Sequence, residues 1–314
     1  MRASTRTMFG LDLQHGQILQ GRRASYGIAA SLRNRQGGPW LATDSSGPHQ
    51  ERVTVKAAPA KRLENEARMP RLFQGCALIR QLVDEVDDPR SLVLKYMDDN
   101  VINLLKTKRP PRVEAKRALK ATVQALVALH EKNVVHTDIK PDNIPVKHSP
   151  AGALYKLGDL GDSSSPDVAS NDGGHLIGAE LFCAPEVPLG IPWTVKADIW
   201  GLGATGITLI TGHYVFLPRN APPPGDPQLS LAVLQIQNDF YGPISRQALH
   251  GLADDSILPL LQQFEENHRP FTLSSASAVI TQEDIDFFGY IMKIDPRQRP
   301  TANEILEHPW FKGI

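Results

Sequence analysis

The sequence predicts an α+β protein, with a β-rich first third followed by a larger and mainly helical remainder. Three observations carry that expectation. Up to about Tyr96, short β-favouring runs alternate with Gly, Ser and Pro interruptions, with one helical segment among them. After Asp98 the apolar residues recur at helical spacing instead. The chain has 314 residues, 41% hydrophobic and 22% charged, which is globular composition and enough length for two lobes, 1–97 with its core from about 16, and 98–314.

In chain order, Ile18 to Leu32 reads as two strands around a turn. Arg35 to Gln50 reads as a polar, Gly- and Pro-containing loop, and Arg52 to Ala57 as a strand. The segment LENEARM, ending at Met69, reads as helix, but Pro70 follows Glu66 by four residues. In a continuous helix the proline ring would clash with the Glu66 carbonyl at a cost of ~3 kcal/mol or more, so the helix is expected to bend or end near Met69. Val113 to Lys132 follows Pro110 and Pro111 and places Leu119, Val123, Leu126 and Val127 on one helical face. Val195 to Thr211 is apolar on nearly every side, the pattern of a helix buried within a lobe. Its one acid, Asp198, falls in the first turn, where it should accept hydrogen bonds from nearby backbone N–H groups. Asn220 to Pro227 is linker-like, and Thr301 with Glu304 forms a capping box for a last helix that Pro309 stops.

Composition also narrows the partners. Lys plus Arg and Asp plus Glu both number 34, so no global field favours nucleic acid or an anionic membrane. Cys76 and Cys183 lie far apart without a His cluster, which argues against a disulfide framework or structural zinc and for a reducing compartment, cytoplasm or nucleus. The apolar stretch from Ala197 to Ile210 is too short and Gly-rich to span a bilayer, and the start, with Arg2 and Arg6, lacks an apolar core of signal-peptide length.

The chemistry concentrates in His136 to Asn143, HTDIKPDN. Asp138 can accept a hydrogen bond from an attacking hydroxyl, Lys140 can neutralise charge on a transferred phosphoryl group, and the side-chain oxygen of Asn143 can ligate Mg²⁺. A plain turn rich in Asp, Asn and Pro would read the same in isolation. The rest of the chain decides between them.

HTDIKPDN resembles the catalytic loop of eukaryotic protein kinases. Val53 to Lys56 resembles the family's VAIK strand, and Glu66, with Glu64 as a rival, resembles the helix glutamate that pairs with its lysine. Asp159, Leu160 and Gly161 resemble the DFG element, whose acid would hold Mg²⁺. Ala184, Pro185 and Glu186 match the APE motif, Asp198 the acid that braces the catalytic loop, and Arg299 the guanidinium that pairs with Glu186. The resemblance runs from near Ile18 to the C-terminal HPWFKGI. Within the family, HTD, DLG and TGHYVFLP look most similar to the SR-protein kinases, of the CMGC group. Small-molecule kinases share an H-x-D loop but lack the APE, DxWxxG and late-arginine elements.

The resemblance implies a bilobal protein kinase fold that transfers the γ-phosphoryl group of ATP, with Mg²⁺, to a protein Ser or Thr hydroxyl. Asp138 and Lys140 would be catalytic, Asn143 and Asp159 metal ligands, and Lys56, Glu66, Asn143, Gly21, Gly27, Lys95 and Met97 the nucleotide's surroundings. Aligned on Tyr26 and Gly27, however, Arg22 and Ala24 occupy two glycine places of the phosphate loop, with Gly21 one position early. Ala29, Thr54 and Pro145 reshape the expected base pocket. Ala179 replaces a threonine, and Thr137 replaces the arginine that binds a loop phosphate. A pseudokinase, a binding or scaffold module on the same fold, is the alternative these departures favour.

Overall fold

A computed structural model describes residues 13–32, 39–46, 50–57, 60–107, 109–166 and 177–314. Two compact units divide the chain. The first takes residues up to Asp98 with Pro145–Leu154 and Gly158–Asp162, and the second takes Asp99–Ile144, Tyr155–Leu157 and Ser163–Ile314. An antiparallel sheet dominates the first and helices the second, the α+β class the sequence predicts. Among the described residues no helix is long and apolar enough to cross a membrane.

In the first unit, strands β1 (Ile18–Gln20), β2 (Ser25–Ser31), β3 (Trp40–Asp44) and β4 (Arg52–Ala57) precede helix α1 (Ala60–Leu72), and β5 (Leu82–Val86) and β6 (Ser91–Lys95) follow it. The sheet order is β1-β2-β3-β4-β6-β5, and all its pairs are antiparallel. Strand β3 corrects the expected loop from Arg35 to Gln50. WLATD alternates, burying Trp40 and Ala42, and its backbone pairs with β2 on one side and β4 on the other. Of that loop, 35–38 and 47–49 lie outside the described residues, as do Arg2 and Arg6.

Trp40 and Ala42 join Leu19, Tyr26, Ile28, Val53, Val55 and Val93 in one core cluster. Helix α1 sets Leu63 and Ala67 against Leu82, Leu92 and Leu94 in another. The helix runs through Pro70 to Leu72 rather than ending near Met69. Met69 and Phe73 are both buried and the Phe73 N–H still reaches the Met69 carbonyl at 3.2 Å, so packing overrides the lost bond at Pro70.

In the second unit, α2 (Val101–Thr107) is followed by α3 (Arg112–His130), which buries Leu119, Val123 and Leu126 as its spacing predicts, while Val127 is only half-buried. Helix α4 (Lys196–Thr211) is the apolar helix read from the sequence, buried from Ala197 to Thr211. Gly203 and Gly206 let α4 lie close to its neighbours, because a Cβ at Gly203 would stand 2.5 Å from Met292 Cγ and one at Gly206 2.7 Å from Phe288 Cε1. Helix α5 (Pro227–Tyr241) begins where the linker-like stretch ends, capped by Asp226. Helices α6 (Leu258–Glu266), α7 (Leu273–Ala276), α8 (Gln282–Ile291) and α9 (Ala302–Leu306) complete the unit, the last with the expected Thr301–Glu304 box.

Candidate active site

The second unit holds the loop from His136 to Asn143. Backbone bonds between Val135 and Ser164 fix its entry. From the first turn of α4, buried Asp198 accepts the His136 N–H at 2.8 Å and the Thr137 N–H at 2.9 Å, and lies 3.0 Å from His130 Nε2. That answers both the desolvation of the carboxylate and the conformation of the loop. Thr137, a β-branched residue, is held at φ 74°, a strained left-handed geometry that the two backbone bonds help impose.

Three predicted site residues meet there. Asp138 Oδ2 pairs with Lys140 Nζ at 2.7 Å and accepts from Asn143 Nδ2 at 2.9 Å. The same Asn143 amino group donates to the Asp138 carbonyl at 2.8 Å, which turns Asn143 Oδ1 away as the remaining ligand atom. Asp138 Oδ1 is buried and has no hydrogen-bond partner among the described residues. A native protein leaves few buried polar atoms unsatisfied without a functional reason. Ala179, with Thr137, Ile177 and Gly178, lines a small cleft beside Asp138 of about 10 Å³, room for a single water-sized group.

A second set meets in the first unit. Lys56 Nζ lies 2.5 Å from Glu66 Oε1 and 2.8 Å from Asp159 Oδ1. Glu64, the rival for Glu66, is exposed and pairs with Arg90 at 3.1 Å. Asp159 adopts φ 56°, and Asn65 of α1 donates to the Gly161 carbonyl at 2.7 Å, tying the helix to that turn. A lysine between two carboxylates is a cation already positioned by charge, the arrangement needed to receive a polyphosphate.

The glycine positions have partners of their own. The Gly21 N–H bonds to the Ala24 carbonyl at 2.8 Å, and a Cβ at Gly21 would collide with Asp84 and Tyr26. Gly27 pairs within the sheet opposite Ile18 and Thr43. Between them, Asp84 Oδ2 accepts the Arg23 N–H at 2.9 Å, the Ala24 N–H at 3.3 Å and the Tyr26 hydroxyl at 3.0 Å. Burial, then the Asp84 bond, pushes the Tyr26 phenol well above its ordinary value. A carboxylate of β5 thus engages the loop donors that the family reading assigns to phosphate. Replacing Asp84 with alanine strands those donors and the buried hydroxyl. It is expected to lower unfolding free energy by about 1–3 kcal/mol in urea titrations. An unchanged midpoint and slope would show that the cluster is not stabilising.

Lys95 and Met97 lie at the end of β6 and just beyond it, Met97 buried. Here the sequence reading missed a residue. Arg80 Nε donates to the Lys95 carbonyl at 2.8 Å and Arg80 Nη2 to Thr54 Oγ1 at 2.7 Å. The available signal was an arginine set between the buried Ile79 and Leu82, where a polar side chain needs a partner.

In the second unit Glu186 and Arg299 form the expected pair, two parallel bonds of 2.7 Å between fully buried side chains. The Ser/Gly/Asp-rich loop before them lies outside the described residues over 167–176.

Comparison with known proteins bears on these clusters. Residues 31–311 match the family model described as "Protein kinase domain". The chain is 30% identical over 247 residues to the serine/threonine-protein kinase GRIK1 of Arabidopsis thaliana, covering 75% of this chain and 50% of that protein. It is 26% identical over 266 residues to the MAP kinase kinase MKK1/SSP32 of Saccharomyces cerevisiae, covering 81% and 45%. It is 23% identical over 304 residues to cyclin-dependent kinase B2-1 of Arabidopsis thaliana, covering 92% and 91%. The chain therefore spans about half the length of the first two relatives and most of the third.

Proposed function

The chain belongs to the protein kinase domain family, and on that premise we propose that it transfers the γ-phosphoryl group of a nucleoside triphosphate, ATP in the family at large, to a Ser or Thr hydroxyl of a protein substrate. The observation that carries this reading is Asp138, whose Oδ2 is held by Lys140 and Asn143 while Oδ1 is buried and unpartnered among the described residues. An acceptor hydroxyl donating to Oδ1 would satisfy that atom and be oriented for attack, with Asp138 taking its proton. Lys140 then offsets charge on the phosphoryl oxygens, and Lys56, held by Glu66, positions the phosphates.

The donor set suits a divalent cation. Asn143 and Asp159 offer hard oxygen ligands and would hold Mg²⁺, which supplies neutralisation of phosphate charge when bound.

The relatives compared are all named kinases, and nothing among them favours a binding module without turnover. The finer likeness to SR-protein kinases rests on HTD, DLG and TGHYVFLP alone, and suggests Ser/Arg-rich targets by association. Cysteine usage supports an intracellular setting. A degenerate peptide library with fixed Ser, Thr or Tyr acceptors tests the proposal. Incorporation at Ser or Thr supports it, and incorporation confined to Tyr overturns the assignment of acceptor.

Loop phosphorylation has no part in this reading. Ser163 is buried, its hydroxyl 3.4 Å from the His136 carbonyl, Ser164 is fixed by its backbone pairing with Val135, and Thr137 supplies no guanidinium to a phosphate. Joint replacement of Ser164 and Ser165 with alanine is expected to leave the transfer rate within about twofold, well short of the 10²-fold scale of a lost catalytic group. A large loss in a steady-state assay would contradict this.

A further inference from the structure

We propose that Arg80 sets the base selectivity of the nucleotide site, disfavouring adenine and favouring a purine with an acceptor edge, guanine or hypoxanthine. The inference rests on the nucleotide-binding part of the proposed function. It lies wholly within the first unit, where Arg80 joins the residues that mark the base pocket in the sequence.

Arg80 Nε donates to the Lys95 carbonyl and Nη2 to Thr54 Oγ1, at 2.8 and 2.7 Å. A Cβ at Gly158 would lie 3.3 Å from Pro145 Cγ and 3.8 Å from Arg80 Cβ, so the root of the arginine and Pro145 both border Gly158. Its fork is held between Thr54 and Lys95 by those two bonds. The carbonyl it engages belongs to the segment that the family reading gives to the base. Burial pulls the guanidinium down to about 10, against the upward pull of the Glu66 and Asp159 carboxylates, which leaves it charged at neutral pH. Nη1 makes no hydrogen bond among the described residues.

A guanidinium offers donors only. Adenine presents an amino donor beside N7, so its amino group would compete with Arg80 for the Lys95 carbonyl and face donors of its own kind. Guanine and hypoxanthine present O6 and N7, two acceptors that match the arginine fork. Among charged side chains a planar fork is also the one that lysine does not reproduce.

The test is calorimetric titration of the whole chain with GDP, IDP and ADP in the presence of Mg²⁺, for wild type, Arg80→Leu and Arg80→Lys. Binding needs no turnover. Wild type is expected to bind GDP and IDP more tightly than ADP, on the order of tenfold or more. Arg80→Leu is expected to abolish or invert that ratio, and Arg80→Lys, which keeps the charge without the fork, to reduce it should the leucine variant not fold. Equal binding, tighter binding of ADP, no binding of any of the three by wild type, or an unchanged ratio in the variants overturns the inference. Tighter ADP binding with Asp138-dependent transfer would leave the kinase reading standing. A guanine preference without such transfer would do the reverse.

Discussion

Arg299→Met is expected to destabilise the second unit by about 3–5 kcal/mol, the cost of leaving one member of a buried ion pair alone. Both side chains of the Glu186–Arg299 pair are 0% exposed, so no solvent reaches Glu186 to replace the guanidinium. Arg299 also donates to the carbonyls of Lys293 and Lys196 and stacks over the Trp200 ring, with its charged centre 5.1 Å away. Its loss frees backbone acceptors as well as a carboxylate. Three of the four tryptophans, Trp193, Trp200 and Trp310, lie buried in the second unit, so denaturant titration followed by fluorescence reads its unfolding. A Glu186→Leu/Arg299→Met double variant should recover part of the loss, because an apolar pair carries no stranded charge. A single variant within about 1 kcal/mol of wild type would mean that the pair contributes no more than an exposed one.

The second large effect is on chemistry. Lys56→Met removes the cation that Glu66 and Asp159 hold at 2.5 and 2.8 Å, and it leaves two carboxylates facing each other where phosphates are expected. Transfer should fall by roughly 10²-fold or more, the scale of losing one preorganised charge at a reacting centre. Glu66→Gln keeps the shape but loosens the ammonium, and should cost less than Lys56→Met. A Lys56→Met protein with wild-type kcat/KM would remove Lys56 from the mechanism. Glu64→Gln serves as a control, since its partner Arg90 is on the surface.

The elements that were legible in the sequence are those set by strong local patterns. The buried helix α4 and the amphipathic α3 follow from apolar spacing, and the Thr301–Glu304 box from capping chemistry. That Asp198 accepts backbone N–H donors follows as well, because a buried carboxylate must find them, whereas their belonging to His136 and Thr137 was implied only by the family resemblance. Strand β3 was not legible, since five residues between polar stretches gain strand geometry only from β2 and β4 alongside. The continuation of α1 through Pro70 depends on burial of Met69 and Phe73, a tertiary effect that outweighs a local rule.

The same division holds for the site. Asp138, Lys140 and Asn143 lie within one short loop, and their convergence follows from spacing. Arg80 and Asp84 act on segments far away in the chain, Arg80 on Thr54 and Lys95, Asp84 on residues 23 to 26. Asp84 did leave a trace. It falls between the buried Leu82 and Val86 in a strand whose burial alternates, so its carboxylate had to meet donors inside the unit.

The central claim, phosphoryl transfer through Asp138, is tested most directly by incubating wild type and Asp138→Ala with a mixed Ser/Thr peptide library, Mg²⁺ and γ-labelled ATP or GTP, and counting label in peptide. Incorporation by wild type from at least one donor, reduced in Asp138→Ala by roughly 10²-fold or more, is the predicted result. Equal incorporation by the two proteins, or none from either donor, would contradict it.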